Sequence, residues 1–222
     1  MKNRKMKSIE IVKDSLIYPF NIKSYLGLLI LFSASFLIIP GILALGYLFR
    51  IIYYTTGDND GHPEFTDWMN MFRDGLIFLG MALIFVMIFY GLLWILESFL
   101  IGDVDLNLAS FTIAAIYTSL FNALFVMCLA HMADEKSFTA AFEFKKIFDR
   151  IKEVGWIKYL ALILFMTIFG GLINFLIELI SPALNLPGLG RIPIVIMITL
   201  LAYTYLFSFE SRFTGLVYLT KP

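Results

Sequence analysis

Ser24 to Phe49 reads SYLGLLILFSASFLIIPGILALGYLF, twenty-six residues without a charge, interrupted by Pro40-Gly41. An apolar run of about 18 residues or more is long enough to cross the roughly 30 Å hydrocarbon core as a helix. The stretch therefore marks the chain as an integral membrane protein. Whether it crosses once or turns back at Pro40-Gly41 decides the number of spans.

Four more runs are long enough to cross. Gly75 to Leu96 is free of charge, Leu106 to Ala133 is interrupted only by His131, and Tyr159 to Ile177 and Ile192 to Phe209 complete the set. The distribution of Lys and Arg between them orients the chain, because short cytoplasmic segments carry the positive excess. Residues 1–23 carry six, 50–74 two, 97–105 none, 134–158 six, 178–191 one and the tail two. A single first crossing puts the two rich segments on opposite sides and leaves a nearly even split. A hairpin puts sixteen on one side and one on the other, so the hairpin is preferred. Ile22 to Ile39 reaches about 27 Å and Gly41 to Tyr54 about 21 Å at 1.5 Å per residue, which admits a re-entrant wedge as well as a full pair of crossings. Re-entrant backbone has to be covered by protein, so the other helices are expected to bury its tip.

The expectation is an all-α integral membrane protein of about six membrane helices arranged as three hairpins. It is a single membrane domain over 1–222 in the cell membrane, with both termini cytoplasmic. Cytoplasmic amphipathic segments precede each hairpin. Ile9, Val12, Leu16 and Phe20 share a face in the first, and Phe65, Trp68, Met69 and Phe72 in the second. Phe138, Ala141, Phe144, Phe148 and Ile151 do so in the third, with Ser137 as its N-cap and Gly155 as its stop. The pattern divides the chain into candidate repeat units 7–55, 64–133 and 137–209.

Composition agrees with a bilayer solvent, at 60% hydrophobic and 15% charged residues, against about 25% charged in a soluble domain. Seventeen basic residues balance seventeen acidic ones, so no nucleic-acid partner is expected. The single cysteine, Cys128, excludes an internal disulfide.

Candidate chemistry is sparse. Glu97, Glu178 and Glu210 fall at span ends, where water reaches them. Cys128 and His131 share a helix face but lack further ligands, so no metal is expected. No nucleophile elbow, phosphate-binding glycine loop or paired catalytic carboxylates occur, and neither a catalytic residue nor a cofactor is assigned. Thr118 and Asn122 in one span, and Asn174 and Tyr203 in two others, are candidates for lining a small polar cavity. Hydrogen bonding between helices is the plainer role for such residues.

The run GYLFRIIYYTTGDNDGHPEFTDWMNMFRDGLIFLG, Gly46 to Gly80, resembles an uncharacterised group of archaeal and bacterial multi-pass membrane proteins, domain of unknown function family 4013. Gly46, Tyr47, Arg50, Pro63, Asp67, Trp68, Phe72, Asp74 and Gly75 carry the resemblance. Pro-Glu-Phe stands where the family commonly has Leu-Pro. The resemblance implies a multi-pass fold and no activity. The matching positions mark a candidate interfacial elbow between the first two hairpins.

The leading expectation is a non-enzymatic membrane protein that organises or shapes the bilayer, or scaffolds a protein partner or a second copy of itself. Its basic segments meet anionic headgroups on the cytoplasmic face. The alternatives are a small transporter or permease component lined by the four polar residues, and a lipid-modifying enzyme, which requires His131, Asp134 and Glu210 to meet.

Overall fold

The computed structural model describes residues 6–96, 108–183 and 191–220, and among these it contains helices and no strand. The eight α-helices are α1 (Ser8–Ile17), α2 (Ile22–Ser33), α3 (Ile38–Thr56), α4 (Trp68–Leu96), α5 (Leu108–Glu135), α6 (Phe144–Val154), α7 (Trp156–Ala183) and α8 (Arg191–Leu219). Short 3-10 turns at Tyr18–Phe20 and Phe138–Phe142 lead into α2 and α6. Five helices, α3, α4, α5, α7 and α8, are long and apolar enough to cross a membrane. A sixth crossing results if α1 and α2, bent by 70° at Asn21, count as one broken span. The acidic connector Glu97 to Asp105 and most of the Pro/Gly-rich connector after Glu178 lie outside the described residues.

The opening stretch does turn back, but at Ala34–Leu37 rather than at Pro40-Gly41. Pro40 is the third residue of α3. A proline in the first helical turn costs nothing, because the amide it lacks would have had no partner there. The residue that reads as a breaker thus serves as an initiator. Other helices do not bury the tip: Phe36 is 82% and Ile38 78% exposed. Its backbone closes on itself instead, with Ala34 N donating to Ile30 O at 3.0 Å, Ser35 N to Phe32 O at 3.1 Å and Leu37 N to Ala34 O at 2.9 Å.

The amphipathic stretch 65–74 is no separate surface helix. Nothing between Trp68 and Leu96 stops a helix, so it forms the first turns of α4. The third stretch divides into the 3-10 turn and α6, and stops as expected at Gly155, whose φ of +94° suits glycine. α6 buries Ile147, Ile151 and Val154 in the protein, while Phe144 and Phe148 stay exposed.

Two cores hold the molecule together. The larger gathers Met127, Cys128 and Ala130 of α5, Phe209, Phe213 and Leu216 of α8, Leu162 and Met166 of α7 and Ile11 of α1. The smaller packs Leu28 of α2 against Ala44, Leu48 and Ile51 of α3 and Met71 of α4. Leu83 and Met87 of α4, Leu164, Ile168 and Leu172 of α7 and Met197 of α8 face outward. In water so large an apolar surface would aggregate, whereas acyl chains cover it at no cost.

Candidate functional site

Polar side chains concentrate at one end of the bundle, where the C-terminal ends of α3, α5 and α8 meet the N-terminal ends of α4 and α7. Arg50, near the end of α3, binds the loop that follows. Its Nε donates to Asp74 Oδ2 at 3.1 Å, Nη1 to Thr66 O at 2.8 Å and Nη2 to Asp67 O at 3.0 Å. The planar guanidinium serves all three acceptors at once, which a lysine could not. Tyr47, one turn earlier, donates to Pro63 O at 3.1 Å and stacks on Phe65 with ring centroids 4.1 Å apart. Asp67 takes φ +54°, a left-handed conformation that Asp tolerates better than most residues, and turns the chain into α4. The Asn70 amide donates to its carboxylate. That bond, helped by Arg50 and Arg73, holds the Asp67 carboxyl below the usual range.

Of the elbow residues, Gly46, Tyr47, Arg50, Pro63, Asp67, Asp74 and Gly75 therefore meet in one clasp between α3 and α4. Trp68 begins α4 half-exposed beside Phe65. Phe72 is half-buried and takes no part in the bonding.

Beside the clasp lies a cavity of about 440 Å³, lined by Arg50, Tyr53, Tyr54, Glu64, Asp67, Arg73, Asp74 and Lys136 among others. Lys136, from just beyond α5, sits 4.8 Å above the Tyr53 ring and has φ +53°. The sequence offered no signal for Lys136, because its neighbours in the cavity belong to a segment some eighty positions earlier.

Two further networks close the same end. Arg212 of α8, 2% exposed, donates to Asp14 of α1 at 2.8 Å, Asp60 at 2.9 Å and Asn59 O at 3.1 Å. The sequence count places it in the tail beyond Phe209, whereas α8 continues through it to Leu219, and Ser208, Ser211 and Arg212 at i, i+3 and i+4 share one polar helix face. His131 of α5 lies 2.8 Å from the Tyr218 hydroxyl through Nδ1 and 3.2 Å from Glu143 through Nε2. Tyr218 donates to Asp134 at 3.2 Å. His131 and Asp134 thus converge on Tyr218. Glu210 lies instead against Gly170 of α7 and makes no hydrogen bond to either among the described residues.

Among the four polar span residues, Tyr203 of α8 donates to Asn174 Oδ1 of α7 at 2.5 Å, and Asn174 in turn donates to Gly170 O at 2.9 Å. Thr118 is exposed and Asn122 half-buried on α5, and among the described residues no hydrogen bond joins them to that pair.

Among the described residues no group of three or more His, Cys, Asp or Glu side chains is placed to hold a metal ion. No curated protein and no solved structure matches the chain. The family described as "Protein of unknown function (DUF4013)" matches residues 29–181, a stretch that includes the whole clasp and the cavity lining. With well over half its length matched, the chain belongs to that family.

Proposed function

We propose that this protein is a non-enzymatic membrane component that shapes or organises the bilayer from one face. The observation that carries the reading is the α2–α3 hairpin. α2 has twelve residues, about 18 Å at 1.5 Å per residue, and falls short of the roughly 30 Å core. α3 is long enough to cross, so in this reading the pair enters tilted, with α2 setting its depth. Its tip presents Phe36, Leu37, Ile38 and Ile39 with no protein over them. Ile9, Ile17, Phe20 and Ile22 extend that exposed apolar surface along α1 and the bend into α2. An apolar wedge inserted from one side occupies area in one leaflet and little in the other, and that asymmetry favours curvature.

Charge supports the same reading. The sixteen-to-one distribution of basic residues supports a cytoplasmic location for both termini and the clasped end. There Lys145, Lys146 and Lys152 project from the exposed face of α6. Lys146 and Lys152 are paired with Glu143 and Asp149, so the full attraction of about 1 kcal/mol to an anionic headgroup near the surface falls to Lys145.

The test reconstitutes the full chain into vesicles of mixed zwitterionic and anionic lipid and measures their radii by electron cryomicroscopy. The wild type is expected to narrow or tubulate them. The combined variant Phe36→Ser, Ile38→Ser, Ile39→Ser is expected to insert without doing so. Unaltered vesicles with the wild type would sink the reading.

A further inference from the structure

The cavity at the clasp holds charges beyond those of the Arg50–Asp74 pair. Arg50 is spent on Asp74 and two backbone carbonyls. Arg73 and Lys136 reach no carboxylate at ion-pair distance among the described residues, and Glu64 reaches no cation. Lys136 is also held in place, above Tyr53. Beyond the Arg50–Asp74 pair the lining therefore offers two cations, Arg73 and Lys136, and two carboxylates, Glu64 and Asp67, of which Asp67 is already engaged by Asn70 and lies within the influence of Arg73. Phe49, Ile77 and Phe138 make another part of it apolar.

Position narrows the choice of ligand. Arg73 and Asp74 are the last charged residues before the uncharged run of α4 begins at Gly75, and Ile77 belongs to that run. The cavity thus straddles the boundary between the polar end and the apolar spans. A ligand that fits carries a hydrogen-bonding cation, an anionic group and an apolar extension in that order. The volume, about 440 Å³, lies in the range of small-molecule sites.

We propose that the cavity binds the headgroup of an aminophospholipid. The phosphodiester lies between Arg73 and Lys136, the primary amine donates to Glu64, and the glycerol end leaves past Ile77 and Phe138 toward the acyl chains. A glycerol headgroup supplies no cation for Glu64. A quaternary choline supplies a cation without a donor. The site is independent of the hairpin wedge, since no residue of the tip lines it, and failure of one reading leaves the other standing.

Purified full-length protein in detergent is titrated with short-chain phosphatidylethanolamine, phosphatidylglycerol, diacylglycerol and soluble phosphoethanolamine, and bound ligand is counted by native mass spectrometry. Phosphatidylethanolamine is expected to bind best. The double variant Arg73→Gln, Lys136→Gln is expected to weaken it roughly tenfold or more, as loss of two charge-assisted contacts requires. Glu64→Gln should abolish the preference over phosphatidylglycerol while leaving both bound. Lys145→Gln with Lys152→Gln, on the far face of α6, should change nothing. Arg73, Lys136 and Glu64 are all exposed, so their variants are expected to melt with the wild type. Undiminished binding by the double variant, or diacylglycerol binding equally, would overturn the proposal. So would soluble phosphoethanolamine binding as tightly as the lipid, because the ligand would then be a free aminophosphate.

Discussion

Gly46 of α3 and Gly75 of α4 meet where the two helices cross, and each backbone occupies the space that the other's side chain would need. A Cβ on Gly46 would come within 1.9 Å of Met71 O, and one on Gly75 within 2.0 Å of Ile42 O. Both obstacles are main-chain carbonyls inside helices, so relief requires the helices to separate.

Gly46→Ala and Gly75→Ala are therefore each expected to destabilise the protein by about 2 kcal/mol or more, at the upper end of overpacking costs. Gly91, around which a Cβ would find open space, supplies the control. Gly91→Ala should be neutral or slightly stabilising, because alanine is the better helix former. Thermal melting in a single detergent ranks the three, and equal melting points would refute the tight crossing.

Arg50→Lys should cost nearly as much as Arg50→Ala. A lysine preserves charge but cannot reach Asp74, Thr66 O and Asp67 O together. About 1 to 3 kcal/mol is at stake, and the loop 57–67 should become cleavable by added protease. Full retention of stability and protease resistance in Arg50→Lys would show that charge alone suffices.

The clasp was legible in the sequence because its parts lie within thirty positions of each other and combine residues with narrow conformational uses, two glycines, a proline and an Asp-Trp turn. The hairpin was legible from charge alone. Its turn was misplaced because proline marks helix starts as well as helix ends, and the sequence around Pro40 does not distinguish them. The start of α4 was misread for a related reason. Amphipathic spacing over 65–74 describes a surface helix and the wetted first turns of a long one equally well. Lys136 and the four acceptors of Arg212, on Asp14, Thr55, Asn59 and Asp60, were out of reach, since nothing local specifies a partner that only tertiary packing brings near.

Removing Arg212 tests the longest of those connections. Arg212→Met removes the guanidinium that Asp14 and Asp60 share, and a loss of about 2 to 3 kcal/mol is expected. The figure stays below that for a wholly buried pair because both carboxylates keep some contact with water. Asp14→Asn should be less harmful in the Arg212→Met background than in the wild type. Additive effects would mean that the two side chains do not interact.

His62 gives the loop a dependence on acidity. Its ring stacks on Tyr18 with centroids 4.0 Å apart. Burial first, and the charge of Arg212 second, hold it below its ordinary value of 6.5. The unfolded chain takes up this proton more readily than the folded one. The associated stability is complete above about pH 6.5 and is lost as pH falls through the lower folded value. Melting temperature should drop between about pH 7 and about pH 5, and should drop less in His62→Phe, which keeps the stack without the titration. Parallel curves for the two proteins would remove His62 from the explanation.

Orientation is tested by labelling. In a Cys128→Ser background, Glu64→Cys lies on the exposed loop at the clasped end. An impermeant thiol reagent should miss it in intact cells and reach it once they are permeabilised. Labelling of intact cells would put the clasped end outside and reverse the charge argument.

The contact between Asp14 and Arg212 also sets a timetable. The two residues stand 198 positions apart, so a ribosome adding about 5 to 20 residues per second needs roughly 10 to 40 s to make the second after the first. During that interval the first helix has left the ribosome, while the groups that will hold it do not yet exist. The start of the chain is thus the last part to be fastened, and a message cut short before its final helix yields a product whose opening segment stays open to proteolysis.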